Sequence, residues 1–248
     1  MIFCFAQAEG RERNAPADRR QLIELPMAPM NSSPVPHLTS IHSMVPRGPY
    51  GSSCYRGNCG GYFILDLLQY YRPGRVLDVM AGSGTCADVC NELGLPCDTM
   101  DIRHGLDAVN PMSYVDLCPV DFVWMHPPYW RMIRYNKDAR CLSNADSLES
   151  FLARMQQVLR NCRNVLAPGG KIAVLIGGYC DGGRYQPLPQ LLVSKALEFG
   201  LWPACTEIIR LQHGNTSSRR RYRSSFIPGL HDTCLIFERD AKLHNLTN

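Results

Sequence analysis

Apolar positions along this chain follow two spacings, and the switches between them mark out its elements. "RVLDVM" (75–80), "PCDTMD" (96–101), "DFVWM" (121–125) and "KIAVLIGG" (171–178) are short runs of strand length bounded by turn residues. Between them the spacing is helical. "GGYFILDLLQYY" (60–71) would bring Tyr62, Leu65, Leu68 and Tyr70 or Tyr71 near one face. "TCADVCNELG" (85–94) reads as a helix closed by Gly94. "NADSLESFLARMQQVLRNCRNVL" (144–166) is a long amphipathic helix with Asn144 or Asp146 as cap and "APGG" as stop. "LPQLLVSKALEFG" (188–200) is a further helix, and "CTEIIRLQ" (205–212) and "HDTCLIFER" (231–239) are two late strands with no helix between them. Strands alternating with helices predict an α/β fold with a mainly parallel sheet covered on both faces. The two late strands should form an antiparallel hairpin at its C-terminal edge.

Residues 1–49 show no steady period and are rich in Pro, Ser, Met and charge, which predicts a poorly ordered or draping arm. The ordered domain is expected over 50–240, with a short tail at 241–248. No apolar run reaches the ~18 residues of a membrane span. The N-terminal "MIFCFA" is too short for a signal-peptide core, so a cytoplasmic protein is expected. The twelve cysteines are scattered without a C-x-x-C pair. A zinc ribbon is therefore not expected, no metal is assigned, and most of the cysteines read as reduced core residues.

The net charge of +4 is local in origin. "RRRYR" (219–223) carries Arg219, Arg220, Arg221 and Arg223; without them the chain is near neutral. That placement suits a patch facing an anion, and a solvated loop is its plain structural alternative.

Two turns carry the candidate chemistry. In "LDVMAGSGT" (77–85), Gly82 and Gly84 allow a sharp turn and a close approach to a ligand, and the next helix offers free N–H groups. The phosphate-binding G-x-x-x-x-G-K-[ST] pattern is absent. An acid, Asp78, stands at the strand end instead, which suits a cationic or amine-bearing ligand such as S-adenosylmethionine. Asp101 ends the next strand, roughly 20 residues on, where a carboxylate can take both ribose hydroxyls. The second turn is "HPPY", His126, Pro127, Pro128 and Tyr129. Two prolines allow neither helix nor sheet to continue. They make a rigid shelf that holds a side-chain acceptor, free carbonyls and a flat ring in register. An exocyclic amino group is a poor nucleophile until acceptors hold its hydrogens and aim its lone pair. The side chain at 126 and the Pro127 carbonyl can do this while Tyr129 stacks on the base.

With both turns in place, about residues 50–239 resemble the S-adenosylmethionine-dependent amino-methyltransferases of DNA, the N4-cytosine/N6-adenine methylase group. "YRGNCGGYFILDLLQYYRPGRVLDVMAGSGT" resembles that family's tenth motif running into its first. "HPPY" resembles its fourth, [DNS]-P-P-[YFW]. The resemblance implies a Rossmann-like methyltransferase fold with S-adenosyl-L-methionine bound by Asn58, Asp78, Ala81, Gly82, Ser83, Gly84, Thr85, Asp101 and Asp107. It implies an active site of His126, Pro127, Pro128 and Tyr129, with "HGNTSS" (213–218) helping to hold the flipped base. The partner implied is DNA, with a base-flipping mechanism and no covalent intermediate, in the setting of restriction–modification. Arg219, Arg220, Arg221 and Arg223 would neutralise phosphates, and Trp130 or Tyr222 would add stacking.

Two departures matter. Position 126 is His where the family has Asp, Asn or Ser, although a neutral ring still offers an acceptor. There is also no separate recognition domain, so recognition falls to loops 131–146, 178–190 and 212–230. Adenine and cytosine both remain open as targets. RNA is a second substrate class, and a catalytically inactive nucleic-acid-binding module is a reading from another class. The resemblance leaves room for a homodimer and for a cognate endonuclease that the sequence does not name.

Overall fold

In a computed structural model, residues 34–35, 38–213, 227 and 229–239 are described. The apolar runs become the centre of one eight-stranded sheet. Its parallel half is β3 (Cys97–Thr99), β2 (Val76–Asp78), β4 (Val120–Met125) and β5 (Leu166–Ile176). Phe122, Val123 and Met125 of β4 and Ile172 to Ile176 of β5 are fully buried. Continuous burial of this kind is what a sheet covered on both faces requires, at roughly 1.5–3 kcal/mol per large apolar side chain.

Helices α1 (Gly61–Tyr71), α2 (Thr85–Leu93), α3 (Leu148–Val165) and α4 (Leu188–Leu197) alternate with the strands as predicted. Gly94 closes α2 at φ +67. The buried face of α1 is Phe63, Ile64, Leu67 and Leu68, while Tyr62 and Leu65 are only partly covered and Tyr70 is exposed. The predicted stripe was thus rotated by about one position. The cap of α3 is Ser147, whose Oγ accepts from the Ser150 N–H at 3.1 Å, and neither Asn144 nor Asp146 takes that place.

The late strands β9 (Ile208–Leu211) and β10 (His231–Arg239) do pair antiparallel. They are not the outermost pair. β10 lies between β5 and β9, and β1 (Ile41–His42) adds parallel to β9. The chain therefore joins the fold before Tyr50. Val35 and Leu38 are buried, and His42 Nε2 meets Asp66 Oδ2 of α1 at 2.9 Å in the interior. Too few apolar residues lie in this segment to make a period, and tertiary contacts alone fix its path. The pattern also missed β8 (Leu201–Pro203) and a hairpin of β6 (Tyr179–Asp181) and β7 (Arg184–Gln186) turning at Gly182-Gly183. The large sheet thus runs β1-β9-β10-β5-β4-β2-β3, with β8 pairing β10. No described helix is long and apolar enough to cross a membrane.

The order β3-β2-β4 reverses direction at β2. In open α/β sheets, ligands bind beyond the strand ends at such a switch point. The glycine turn leaves β2 and the "HPPY" shelf leaves β4, so both open there.

Candidate active site

One cleft of about 890 Å³, its solvent-facing part included, occupies this rim. Ten of the residues singled out in the sequence line it together: Asn58, Asp78, Ala81, Gly82, Ser83, Thr85, Asp101, Asp107, His126 and Pro128. Gly84, Pro127 and Tyr129 are not among its lining residues; Pro127 is buried and Tyr129 half-buried.

The glycine loop is built for close approach. Gly82 has φ +54, and a Cβ there would meet the Tyr55 ring at 3.1 Å. Gly84, at φ +83, is the left-handed residue that starts α2. Thr85 Oγ1 donates to Asn58 Oδ1 at 2.6 Å, and Asn58 Nδ2 donates to the Ser52 carbonyl at 2.9 Å. Asn58 thus ties the 48–60 segment to the start of α2. Gly51 N–H adds a bond to Asp88 at 2.7 Å, and Tyr50 Oη donates to Glu92 at 2.8 Å.

Asp78 ends β2 at 2% exposure and accepts from the Met80 N–H at 3.1 Å. Burial pushes its carboxyl up to about 8, and the single backbone bond opposes this only in part. Asp101 behaves differently. Burial would raise its carboxyl, but bonds from Arg103 and from Gly82 N–H (2.9 Å) hold it below the usual range. Its carboxylate, expected to take two ribose hydroxyls, is here clamped by Arg103. That guanidinium also donates to the Gly82 carbonyl and lies 5.1 Å from the Tyr55 ring centroid. Asp107 accepts from Val109 N–H at 2.9 Å on the same wall.

On the shelf, His126 Nε2 lies 3.4 Å from Tyr129 Oη. Burial lowers the His126 ring to about 4; Asp232 pulls it up and Arg210 pushes it down. Burial and the neighbouring Asp232 carboxylate hold the pKa of the Tyr129 hydroxyl well above its usual value. Asp232 accepts from Arg210 at 2.6 Å and from Gln212 at 2.5 Å. With the Tyr129 proton turned toward the Asp232 carboxylate, the tyrosine oxygen can accept from His126 Nε2–H. Nδ1 is then the acceptor of the neutral ring.

Sequence reasoning missed this support. Asp232 sits in an apolar strand run, where a buried acid is the exception that marks a network. Gly177 was also missed. A Cβ on it would come within 2.7 Å of Asp232 Oδ1 and 2.8 Å of the Tyr129 ring, so only glycine lets the two meet at the end of β5. Tyr55, Arg103, Tyr135 and Arg140 line the cleft without a sequence signal of their own.

Trp130 is corrected. At 5% exposure it cannot offer a face to a base. Its indole N–H donates to the Ala145 carbonyl at 3.0 Å, and its body packs in the core beside Tyr179. Position 130 takes φ +49, which turns the ring inward after the second proline. Its neighbour Arg131 stacks on it at 4.4 Å and pairs with Asp181, fastening the β6–β7 hairpin to the shelf. Arg219, Arg220, Arg221, Tyr222, Arg223 and residues 214–218 of "HGNTSS" lie outside the described residues.

No protein-family profile matches the chain, and no curated protein matches it. Among solved structures, TrmN from Thermus thermophilus aligns with a TM-score of 0.46 at 20% identity, covering 74% of this chain and 50% of that one. A candidate DNA modification methylase from the same organism, TTHA0409, solved with S-adenosyl-L-methionine, gives 0.40 at 18% identity, covering 67% and 56%. The CcbJ methyltransferase from Streptomyces caelestis gives 0.40 at 13% identity, covering 73% and 89%. The chain thus spans about half the length of the first two structures it matches.

Proposed function

We propose that the protein transfers a methyl group from S-adenosyl-L-methionine to an exocyclic amino group of a DNA base, adenine N6 or cytosine N4, on a flipped-out nucleotide. The observation that carries this reading is that Asp78 and His126 face one cleft from the ends of adjacent strands. The chain's own residues fit the cofactor. Asp78 is a buried acid with one backbone partner, and a cationic ammonium is the group that would restore its charge. The loop 81–85 leaves room for close approach, and Asp107 lies on the same wall for the adenine end. When bound, the cofactor supplies an electrophilic methyl group.

His126 does the positioning. Its neutral ring presents Nδ1 to one amino hydrogen, and the Pro127 carbonyl takes the other. With both hydrogens held, the nitrogen lone pair is aimed out of the base plane toward the methyl donor. Pro127 and Pro128 fix this geometry before the base arrives, so little reorganisation is left for the transition state. Tyr129, anchored at its hydroxyl by Asp232, supplies a flat ring for the base. Loop recognition falls to the 131–146 segment and the β6–β7 hairpin that Arg131 holds in place, with the four arginines at 219–223 as phosphate contacts.

The test is methyl transfer from labelled cofactor to DNA and RNA oligomers, followed by nucleoside analysis. N6-methyladenine or N4-methylcytosine in DNA supports the reading, transfer confined to RNA moves it to the second substrate class, and no transfer to either removes it. Replacing the four arginines by Ser should reduce the slope of log affinity against log salt by ~0.9 per lost contact on duplex DNA.

A further inference from the structure

Three thiols that stand apart in the sequence meet beside the cleft. Cys86 and Cys90 lie one turn apart on α2, and Cys97 opens β3. Their sulfur atoms all lie within 4.8 Å of one another, the one such convergence of metal-binding side chains among the described residues. Cys86 and Cys90 are fully buried, while Cys97 is partly open. The sulfurs sit in an apolar layer that includes Val89, Leu93 and Leu95.

Thiols gain little from each other as neutral groups, because S–H is a weak donor and sulfur a weak acceptor. Three of them aimed at one point in an apolar layer form a soft donor set. A metal–sulfur bond of ~2.3 Å puts thiolate sulfurs ~3.8–4.0 Å apart around a shared ion, tetrahedral or trigonal. Sulfurs within 4.8 Å need to close by no more than about 1 Å to reach that spacing. Among the described residues no carboxylate or imidazole joins the three, which argues against a closed four-ligand site. Thiolates select soft d10 cations.

We propose that Cys86, Cys90 and Cys97 form a three-coordinate trithiolate site for a soft monovalent d10 cation of the copper(I) kind. Binding displaces up to three thiol protons to solvent and changes no oxidation state. Cys97 is the exposed side through which the ion enters. Cys86 also lines the cleft next to Thr85, so occupancy would brace the first turn of α2. The site is independent of methyl transfer and stands or falls without it.

The experiment is a titration of the reduced full-length chain with chelator-buffered copper(I), and with silver(I) as a redox-inert probe. Thiolate-to-metal absorption and thermal melting are the readouts. One tight equivalent per chain is expected, with a melting point that rises on loading. Cys97→Ala removes the least buried ligand, and Cys86→Ala and Cys90→Ala remove the others. Each should lower affinity for the tight equivalent by at least tenfold and abolish the melting shift. Cys118→Ala and Cys180→Ala, which alter exposed thiols elsewhere, should change neither. The apo melting point of each variant, read in the same series, shows that it folds. Retention of the tight equivalent in folded Cys97→Ala, equal losses in the two control variants, or tighter binding of zinc than of copper(I) would each overturn the assignment.

Discussion

Asp78 and His126 stand at the ends of neighbouring strands, face the same cleft and are both held in the neutral form. One cause acts on opposite chemistry. Burial raises the acid to about 8 and lowers the base to about 4, because in each case it penalises the charged species. The difference lies in what a cation does next. Near neutral pH, Asp78 is close to its titration point, so an arriving ammonium or sulfonium ionises it and gains an ion pair. His126 is far from protonation, and the same cation drives it further away. A single positively charged cofactor would charge one residue and keep the other as an acceptor. Two strand ends can thus share one ligand while doing opposite work.

Removing the carboxyl breaks the comparison at its more responsive end. Asp78→Asn matches the neutral acid in shape but cannot ionise. Losing a desolvated charge pair costs ~2–5 kcal/mol, and each ~1.4 kcal/mol is tenfold. Cofactor affinity should fall by about 1,000-fold in calorimetry while the chain stays folded. In the wild type, affinity should weaken as pH drops below about 8, because binding must then expel a proton. The sign for folding is the reverse. A carboxyl whose folded pKa is raised destabilises the free protein progressively as pH climbs from ~4 toward about 8. Urea midpoints of wild type and Asp78→Asn should therefore diverge with rising pH, the variant being the more stable. Affinity in Asp78→Asn equal to wild type would detach the acid from the ligand.

The shelf gives the next largest effect. His126→Ala should slow single-turnover methyl transfer by about 100-fold, within the range for a positioned proton acceptor, and leave cofactor affinity unchanged. His126→Asn keeps an acceptor and should retain activity. A free imidazole would lose transfer near pH ~6.5, but this ring should hold activity down to about 4, as far as the fold itself survives. Its lowered folded pKa also means that its contribution to stability is present above ~6.5 and is lost as pH falls toward about 4. An acid limb near pH ~6.5 in kcat would show that the ring is solvated during turnover.

How much of this was readable in the sequence follows from the range of the contacts. The glycine turn, the shelf and the strands before them are local in sequence, so spacing and prolines reveal them. The α1 stripe was misread by one position because Tyr62 and Tyr70 look apolar to a periodicity test yet remain partly open. Trp130 was misplaced because an aromatic after a shelf reads as exposed, whereas a φ of +49 turns it inward. The Arg210–Asp232–Tyr129 chain joins β9, β10 and the turn after β4, and β1 closes onto β9 from the far end of the described fold. Such partners carry no local signature. The cysteine cluster is hidden likewise, because its third member comes from another element.

Gly177 links the shelf to that hidden network, so it tests whether the network matters. Gly177→Ala would place a methyl carbon 2.7 Å from Asp232 Oδ1 and 2.8 Å from the Tyr129 ring, well inside contact distance. Its backbone is not left-handed, so crowding is the sole effect. Overpacking of this kind costs ~1–3 kcal/mol. Transfer should drop about tenfold by displacement of Tyr129, while cofactor affinity, set on the other strand end, stays constant. An equal loss of both would mean that the two strand ends do not act separately.

The smallest change isolates the hydroxyl that fixes the His126 tautomer. Tyr129→Phe keeps the ring for stacking but removes both the donor to Asp232 and the acceptor for His126 Nε2–H. Asp232 keeps Arg210 and Gln212, so the buried acid remains paired and the fold should persist. A single neutral hydrogen bond is worth ~1 kcal/mol. Transfer should therefore fall only about fivefold, yet the tautomer balance should shift visibly. In wild type, nitrogen NMR of the His126 ring should show Nε2 protonated and Nδ1 bare. In Tyr129→Phe the two tautomers should mix, and the rate should fall in proportion to the lost Nε2–H form. A wild-type ring protonated at Nδ1 would reverse the hydrogen-bond directions along the shelf, making Nε2 the acceptor of the tyrosine proton and leaving Asp232 without it.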